Sequence, residues 1–344
     1  MHRTGVIRCL LAAVLFGASA PAASILAGDV PALTLAGLLY LGAGLAVLPA
    51  VALRRPDPGA VRDSWGAVVI AIIAGGAVGP ALLVAGLAQI DAATASILLN
   101  LELVATVVLA ATLFHEHLGR RLLAGAGLVT AAGVLLVWDP GAQLDVGALL
   151  IAGACLCWGL DNCVTARIDR LSPEHVVAAK GVVAGSVNLA LGLVVAGGGS
   201  ITAPQVAAAL TVGALGYGVS ITLWVKGARE LGAARGQVIF ATAPFIGAVI
   251  AWTVLGDPVT AVQVGAAVLA ATGVALSMES AHEHRHRHEP TRHDHEHTHD
   301  EPHHAHVHPD GFVGRHAHPH EHVELLHAHP HVPDLHHRHD HDHD

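Results

Sequence analysis

Residues 90–119 read IDAATASILLNLELVATVVLAATLFHEHLG, from Ile90 to Gly119. The stretch is long, apolar and helix-like, carries one carboxylate (Glu102) near its middle, and ends in a polar, acidic turn. Its design returns at Leu231–Thr260 as LGAARGQVIFATAPFIGAVIAWTVLGDPVT, aligned without a gap at an offset of 141 residues. Ala92-Ala93 falls on Ala233-Ala234, Leu103 on Pro244 and Glu116 on Asp257. Phe16-Gly17 matches Trp158-Gly159 in the same way, at an offset of 142. A period this long marks a duplicated half-protein, not a solenoid repeat.

Composition divides the chain in two. Of the 344 residues 53% are hydrophobic and 13% charged, but 24 of the 28 histidines lie after residue 280. That final stretch holds 13 acids against 5 arginines, which is −8 of the −9 net charge. The first 280 residues lack the charged surface that a soluble domain requires, so the expected class is an all-α polytopic membrane protein. Cys9, Cys155, Cys157 and Cys163 sit in apolar stretches without C-x-x-C spacing, and read as small packing residues. Arg3 and Arg8 before an apolar run imitate a signal peptide. Its counterpart around Trp158 argues that the segment is retained.

A spanning helix needs about 20 mostly apolar residues. Ten stretches qualify: roughly 6–26, 32–53, 64–87, 92–113, 118–137, 146–166, 175–196, 206–225, 233–255 and 261–277. Turn chemistry separates them, as in Gly28-Asp29-Val30-Pro31, Asp139-Pro140-Gly141 and Gly256-Asp257-Pro258. Of 13 Lys and Arg before residue 281, all but Lys180 fall near the N-terminus or in or beside the even-numbered loops. The positive-inside rule then sets both termini on the cytoplasmic side of the inner (plasma) membrane. Five helices per repeat force the second copy in upside down. The expected organisation is therefore two inverted five-helix repeats, 1–140 and 141–280, with a substrate site near the midplane, and a tail at 281–344. Gly75/Gly79, Gly181/Gly185 and Gly232/Gly236 have the spacing for close helix packing.

No phosphate-cradling Gly-Lys-Ser/Thr loop, G-x-S-x-G or H-E-x-x-H occurs, so neither an ATP-driven pump nor an enzyme is expected. His115-Glu116-His117 has ligand residue types, but helical geometry turns the two histidines apart. No nucleic-acid partner is expected.

The segment with Glu102, Glu116 and Gly127/Gly133, and its partner with Leu231-Gly232-Ala233-Ala234, Pro244, Gly256-Asp257 and Gly265/Gly273, resemble EamA-domain proteins of the drug/metabolite transporter superfamily. The resemblance covers residues 1 to 280. It departs at Asp257, where Glu is usual, and at Leu103, where Pro is usual. Asn100-Leu101-Glu102, Trp158 with Asp161-Asn162, and the tail are similar to a His-tailed subgroup. The resemblance implies a gradient-coupled carrier of small metabolites, often an exporter. It names neither a substrate nor a required cofactor, and admits a proton as coupling ion and a homodimer as assembly.

Ionisable residues inside spans are costly and mark function by default. Glu102 lies ten residues into its span, about 15 Å deep at 1.5 Å per residue, close to the midplane. Ionisation there is expensive, so Glu102 is positioned to take up and release a proton. The bland alternative is a structural carboxyl bonded to Asn100, a helix neighbour or Asn188. Asp161 and Lys180 fall at similar depth on consecutive spans and are expected to pair along a vestibule; the alternative is a Lys180 that snorkels to the interface. Asn162 belongs with them, and Trp158 and Trp224 are candidate lining residues.

The tail has few large apolar residues and reads as disordered. Its H-x-H runs are His282/His284/His286/His288 and His293/His295/His297/His299. His316/His318/His320 recurs as His327/His329/His331, and His336, His337 and His339 follow. Imidazole favours Zn, Cu, Ni and Co, so the tail is expected to chelate divalent metal. Histidine titration near neutrality also allows a pH-responsive polyampholyte. Two functional alternatives stand beside the organic-solute carrier: a divalent transition-metal efflux carrier, and a non-transporting membrane metal buffer or sensor.

Overall fold

The computed structural model describes residues 3–53, 56, 58–114, 120–137, 145–165, 168, 171–195, 201–231, 239–278, 282–288, 291–297, 316–322 and 325–331. His115-Glu116-His117, Gly232/Gly236, His299, His336, His337 and His339 lie outside these. The chain divides into two units, Met1–Ser280 and Ala281–Asp344.

Among the described residues the first unit is helical throughout: α1 (Arg3–Ala27), α2 (Ala32–Leu53), α3 (Pro58–Leu87), α4 (Ala92–Leu98), α5 (Leu101–Phe114), α6 (Arg120–Val137), α7 (Val146–Thr165) and α8 (Pro173–Val195). Ala203–Gly213 runs on through Ala214–Val219 into Ser220–Leu231 and is called α9; α10 (Ala243–Leu255) and α11 (Ala261–Met278) follow. Seven helical segments are long and apolar enough to cross a membrane, and Ala243–Leu255 and Ala261–Ser277 are shorter apolar helices. Large apolar side chains such as Leu53, Val194 and Val254 face outward, as they must where the solvent is lipid.

The core is built mainly from small residues. Leu35, Leu39, Leu83, Val84 and Leu98 pack with Ala23, Ala36, Ala95 and Ala154. Gly44 of α2 meets the backbone of Gly181 in α8, a contact that a larger residue would block. Gly256 ends α10 in the left-handed conformation (φ 77°), a shape that residues with a Cβ rarely take.

Four stretches wind as π-helix: Ala71–Val78 in α3, Lys180–Ala184 in α8, Ala214–Val219 in α9 and Ala251–Leu255 in α10. The offset of 141 that aligns residues 90–119 with 231–260 also carries Gly75 onto Gly216, Val78 onto Val219 and Gly86 onto Gly227. The π segments of α3 and α9 therefore end at aligned residues. Gly79 N–H bonds to Ala74 O and Ser220 N–H to Leu215 O, the same five-residue step in both halves.

The tail departs from the sequence expectation of disorder. Four strands form there: β1 (His282–His288), β2 (Thr291–His297), β3 (His316–His322) and β4 (Leu325–His331). β1 pairs antiparallel with β4 and β2 with β3. Backbone pairing needs no apolar core, and the strict alternation of the H-x-H runs has the period of a strand. Composition alone did not register that alternation.

Candidate functional site

The quoted stretch is not one helix. Its helix is broken at Leu99-Asn100, between α4 and α5. Asn100 N–H reaches back only to Ile97 O (3.2 Å), and Glu102 N–H to Leu99 O (3.1 Å), so the regular four-residue ladder gives way to tight turns. The Asn100 side chain is 5% exposed and donates to Ile97 O (2.9 Å), competing with the helical ladder for the same carbonyl. Glu102 therefore stands in the first turn of a new half-helix, where unpaired N–H groups favour a negative charge. Its Oε1 accepts from Asn162 Nδ2 (2.8 Å), which also reaches Thr106 Oγ1 (3.3 Å). The Thr106 hydroxyl donates to Glu102 O (2.8 Å).

One residue before Asn162, Asp161 turns to Lys180 in the π segment of α8, with Nζ 2.6 Å from Oδ2. The side chains are 7% and 14% exposed. Thr165 donates to Asp161 Oδ1 (3.0 Å). Two charges withdrawn from water need each other and further hydrogen bonds to be tolerable, and the pair has both. The Asp161 carboxylate lies against Gly75, where a Cβ would collide with it. Glu102 is close enough to Asp161 and Lys180 to feel their charges. α7 thus presents Asp161 to one neighbour and Asn162 to another, and consecutive residues on a helix point apart in just this way.

Gly75 is also the hub of the wall. Pro80, five residues on, has no N–H to give its carbonyl, and Gly79 N–H is taken by Ala74 O. The Gly75 carbonyl accepts instead from Tyr40 OH (2.6 Å) and Trp158 Nε1 (3.1 Å). Asn188 donates to Ala77 O (2.9 Å) in the same π segment. From Tyr40 the aromatic rings run on through Tyr217 (centroids 5.8 Å), Phe16 (5.9 Å) and Phe240 (5.2 Å) to Trp224 (5.7 Å). Trp224 Nε1 is buried without a hydrogen-bond partner.

At the end of the bundle where α4 begins, a second polar knot ties the two halves. Gln263 of α11, 4% exposed, donates from Nε2 to Asp91 Oδ1 (3.0 Å) and Thr94 Oγ1 (2.9 Å). Its Oε1 accepts from Thr260 N–H (3.1 Å) and Trp252 Nε1 (3.3 Å). Asp257 Oδ2 accepts from Ala93 N–H (3.0 Å).

The structure thus brings together Glu102 with Asn162, and Asp161 with Lys180. Asn100 and Asn188 bond to main-chain carbonyls and not to Glu102, and Trp158 is committed to Gly75. Trp224 stands at the far end of the aromatic row. Sequence reading missed the helix break, Tyr40, Thr106, Thr165, Tyr217 and Gln263. Only an asparagine two residues before a buried carboxylate hinted at the break.

Apolar helices throughout, with charge held to a few buried and paired positions, are what a multi-pass membrane protein requires. The chain belongs to the EamA-like transporter family, within the drug/metabolite transporter superfamily; the family model matches residues 3–138 and again 145–278. It is similar to an uncharacterized transporter of Methanothermobacter thermautotrophicus, 23% identical over 290 residues, covering 78% of this chain and 84% of that protein. An uncharacterized protein of Pseudomonas aeruginosa is 29% identical over 174 residues, covering 49% of this chain and 59% of that one. A crystal structure matches with TM-score 0.59 at 20% identity, covering 80% of this chain and 97% of that one; the likeness is one of fold. The protein is a membrane transporter.

Proposed function

We propose that the chain is a secondary carrier of a small organic metabolite, with ten crossings arranged as two inverted five-helix repeats, 1–140 and 141–280. Both termini lie in the cytoplasm, and the protein resides in the inner membrane. The observation that carries this reading is the interrupted span. α4 and α5 part at Leu99-Asn100, and α10 begins after a turn at Ala241-Thr242, at the corresponding place of the second half. Broken spans at matching positions of two repeats are where secondary carriers put their binding sites.

Glu102 opens the half-helix and is the coupling residue, taking up and releasing a proton in the cycle. Asn100 shapes the break. Asn162, Asp161 and Lys180 line the pathway beside it, and Asn188, Trp158 and Trp224 belong to its wall. The tail, 281–344, binds divalent metal (Zn, Ni, Co or Cu) on the cytoplasmic side, and transport needs no cofactor. Among the described residues no three His, Cys, Asp or Glu side chains gather into a metal-sized group, which disfavours the metal as cargo.

The test is growth of deletion and overexpression strains across amino acids, toxic metabolites and metals. An organic-solute carrier changes tolerance of one solute class, and that effect survives removal of 281–344. Protection from Ni, Co or Zn alone overturns the proposal in favour of metal efflux. Loss of the whole phenotype with the tail overturns it in favour of a metal buffer.

A further inference from the structure

The register of the tail strands pairs histidine with histidine. In β1 and β4, His282 is opposite His331, His284 opposite His329 and His286 opposite His327. In β2 and β3, His293 is opposite His320, His295 opposite His318 and His297 opposite His316. Between these rungs lie mixed pairs such as Glu283 with Pro330 and Asp294 with Pro319. Alternate residues of a strand share a face, so the three rungs of each ribbon share one face. A slip of one residue would set every histidine of a rung opposite another residue type, so the rungs belong to this register.

Directly opposed residues of an antiparallel pair have Cβ atoms about 4.5–5.5 Å apart, a span that suits two imidazoles on one ion. Successive rungs are about 7 Å apart, two residues of strand rise, so each rung is a separate two-nitrogen site. A two-stranded ribbon alone in water is marginal at best, and these carry almost no apolar residues to bury. Cross-linking by metal supplies what packing does not.

We propose that the tail is two metal-clasped ribbons, each His–His rung taking one divalent ion of the imidazole-preferring class. The proposal rests on the reading of the tail as metal-binding, and replaces a diffuse chelator with six defined positions. Folding of the ribbons and metal uptake are then one event, and metal concentration sets whether the tail is extended chain or paired strands.

The test counts nickel ions bound by the full-length, detergent-purified protein at equilibrium dialysis. The double variant H284A/H329A removes both partners of one rung. The double variant H284A/H327A removes the same number of histidines but breaks two rungs. The first is expected to lose one ion relative to the parent and the second two. In the other ribbon H295A/H318A and H295A/H316A are expected to differ likewise. Equal losses within both pairs of variants overturn the rungs while the metal-binding tail stands. A parent chain that binds no nickel overturns both.

Discussion

Gly75 and Gly216 hold the same place in the two halves, each inside a π segment ending at an aligned valine, yet their carbonyls serve different ends. Gly75 O accepts from Tyr40 of its own half and from Trp158 of the other, and Asp161 rests on its Cα. Gly216 O accepts from the Ser220 hydroxyl one turn along the same helix. One copy of the irregularity has been recruited to hold side chains from elsewhere, and the other is closed on itself. The broken spans differ in the same sense. Asn100 and Glu102 mark the first break, whereas Ala241 and Ala243 hold the aligned positions of the second, with Ala243 O against Gly17. Duplication supplied a shared scaffold, and the polar chemistry was concentrated at one of its two copies.

The largest effect that would break this comparison is at Glu102. Glu102→Gln is expected to reduce gradient-driven flux in proteoliposomes to the level of empty vesicles, and adding Ala243→Glu is expected not to restore it. Recovery through Ala243→Glu would mean that the halves are interchangeable.

Next in size is the ion pair. Asp161→Ala leaves Lys180 buried without its counter-charge, at a cost of about 3–5 kcal/mol, read as a lower unfolding temperature in detergent. The exchange D161K/K180D should recover part of both stability and flux. A double variant no better than either single one shows that the two residues do not act as a unit.

Gln263→Leu strands the partners of four hydrogen bonds and is expected to cost about 1–3 kcal/mol. Amides of Ala92–Leu98 should then exchange with deuterium about tenfold faster, the factor for 1.4 kcal/mol. Unchanged exchange would show that the knot does not hold this end of the bundle.

The smallest effect sharpens the opening contrast. Tyr40→Phe should cost about 1 kcal/mol, because Trp158 still serves the Gly75 carbonyl. Ser220→Ala should cost less, since a hydroxyl folded back on its own helix adds little to stability. Calorimetry that ranks Ser220→Ala above Tyr40→Phe contradicts the assignment of roles.

The family, the helical class and the duplication were legible in the sequence, because apolar length and a gap-free offset are properties of the chain read in line. The pairing of Asp161 with Lys180 could be anticipated from depth, since both lie a few residues inside spans joined by a short loop. The break before Glu102 was not legible. Asn100 is one residue in an otherwise continuous apolar run, and its effect depends on a burial that leaves its amide no partner but a main-chain carbonyl. Pro244 was a plainer sign, in the half without a carboxylate. The π segments left no trace in composition, since each reflects where a carbonyl finds its donor. Gln263 was overlooked because its partners, Asp91 and Thr94, are about 170 residues away.

That glutamine uses all four hydrogen-bonding positions of its amide at once. Pulling α11 away from α4 by the length of one bond therefore forfeits the contacts to Asp91 and Thr94 together, with no partly engaged arrangement between. A fastening of this kind is all-or-none. A carrier closed by it at one face spends little time ajar, and that is what keeps a passage for solute from becoming a leak.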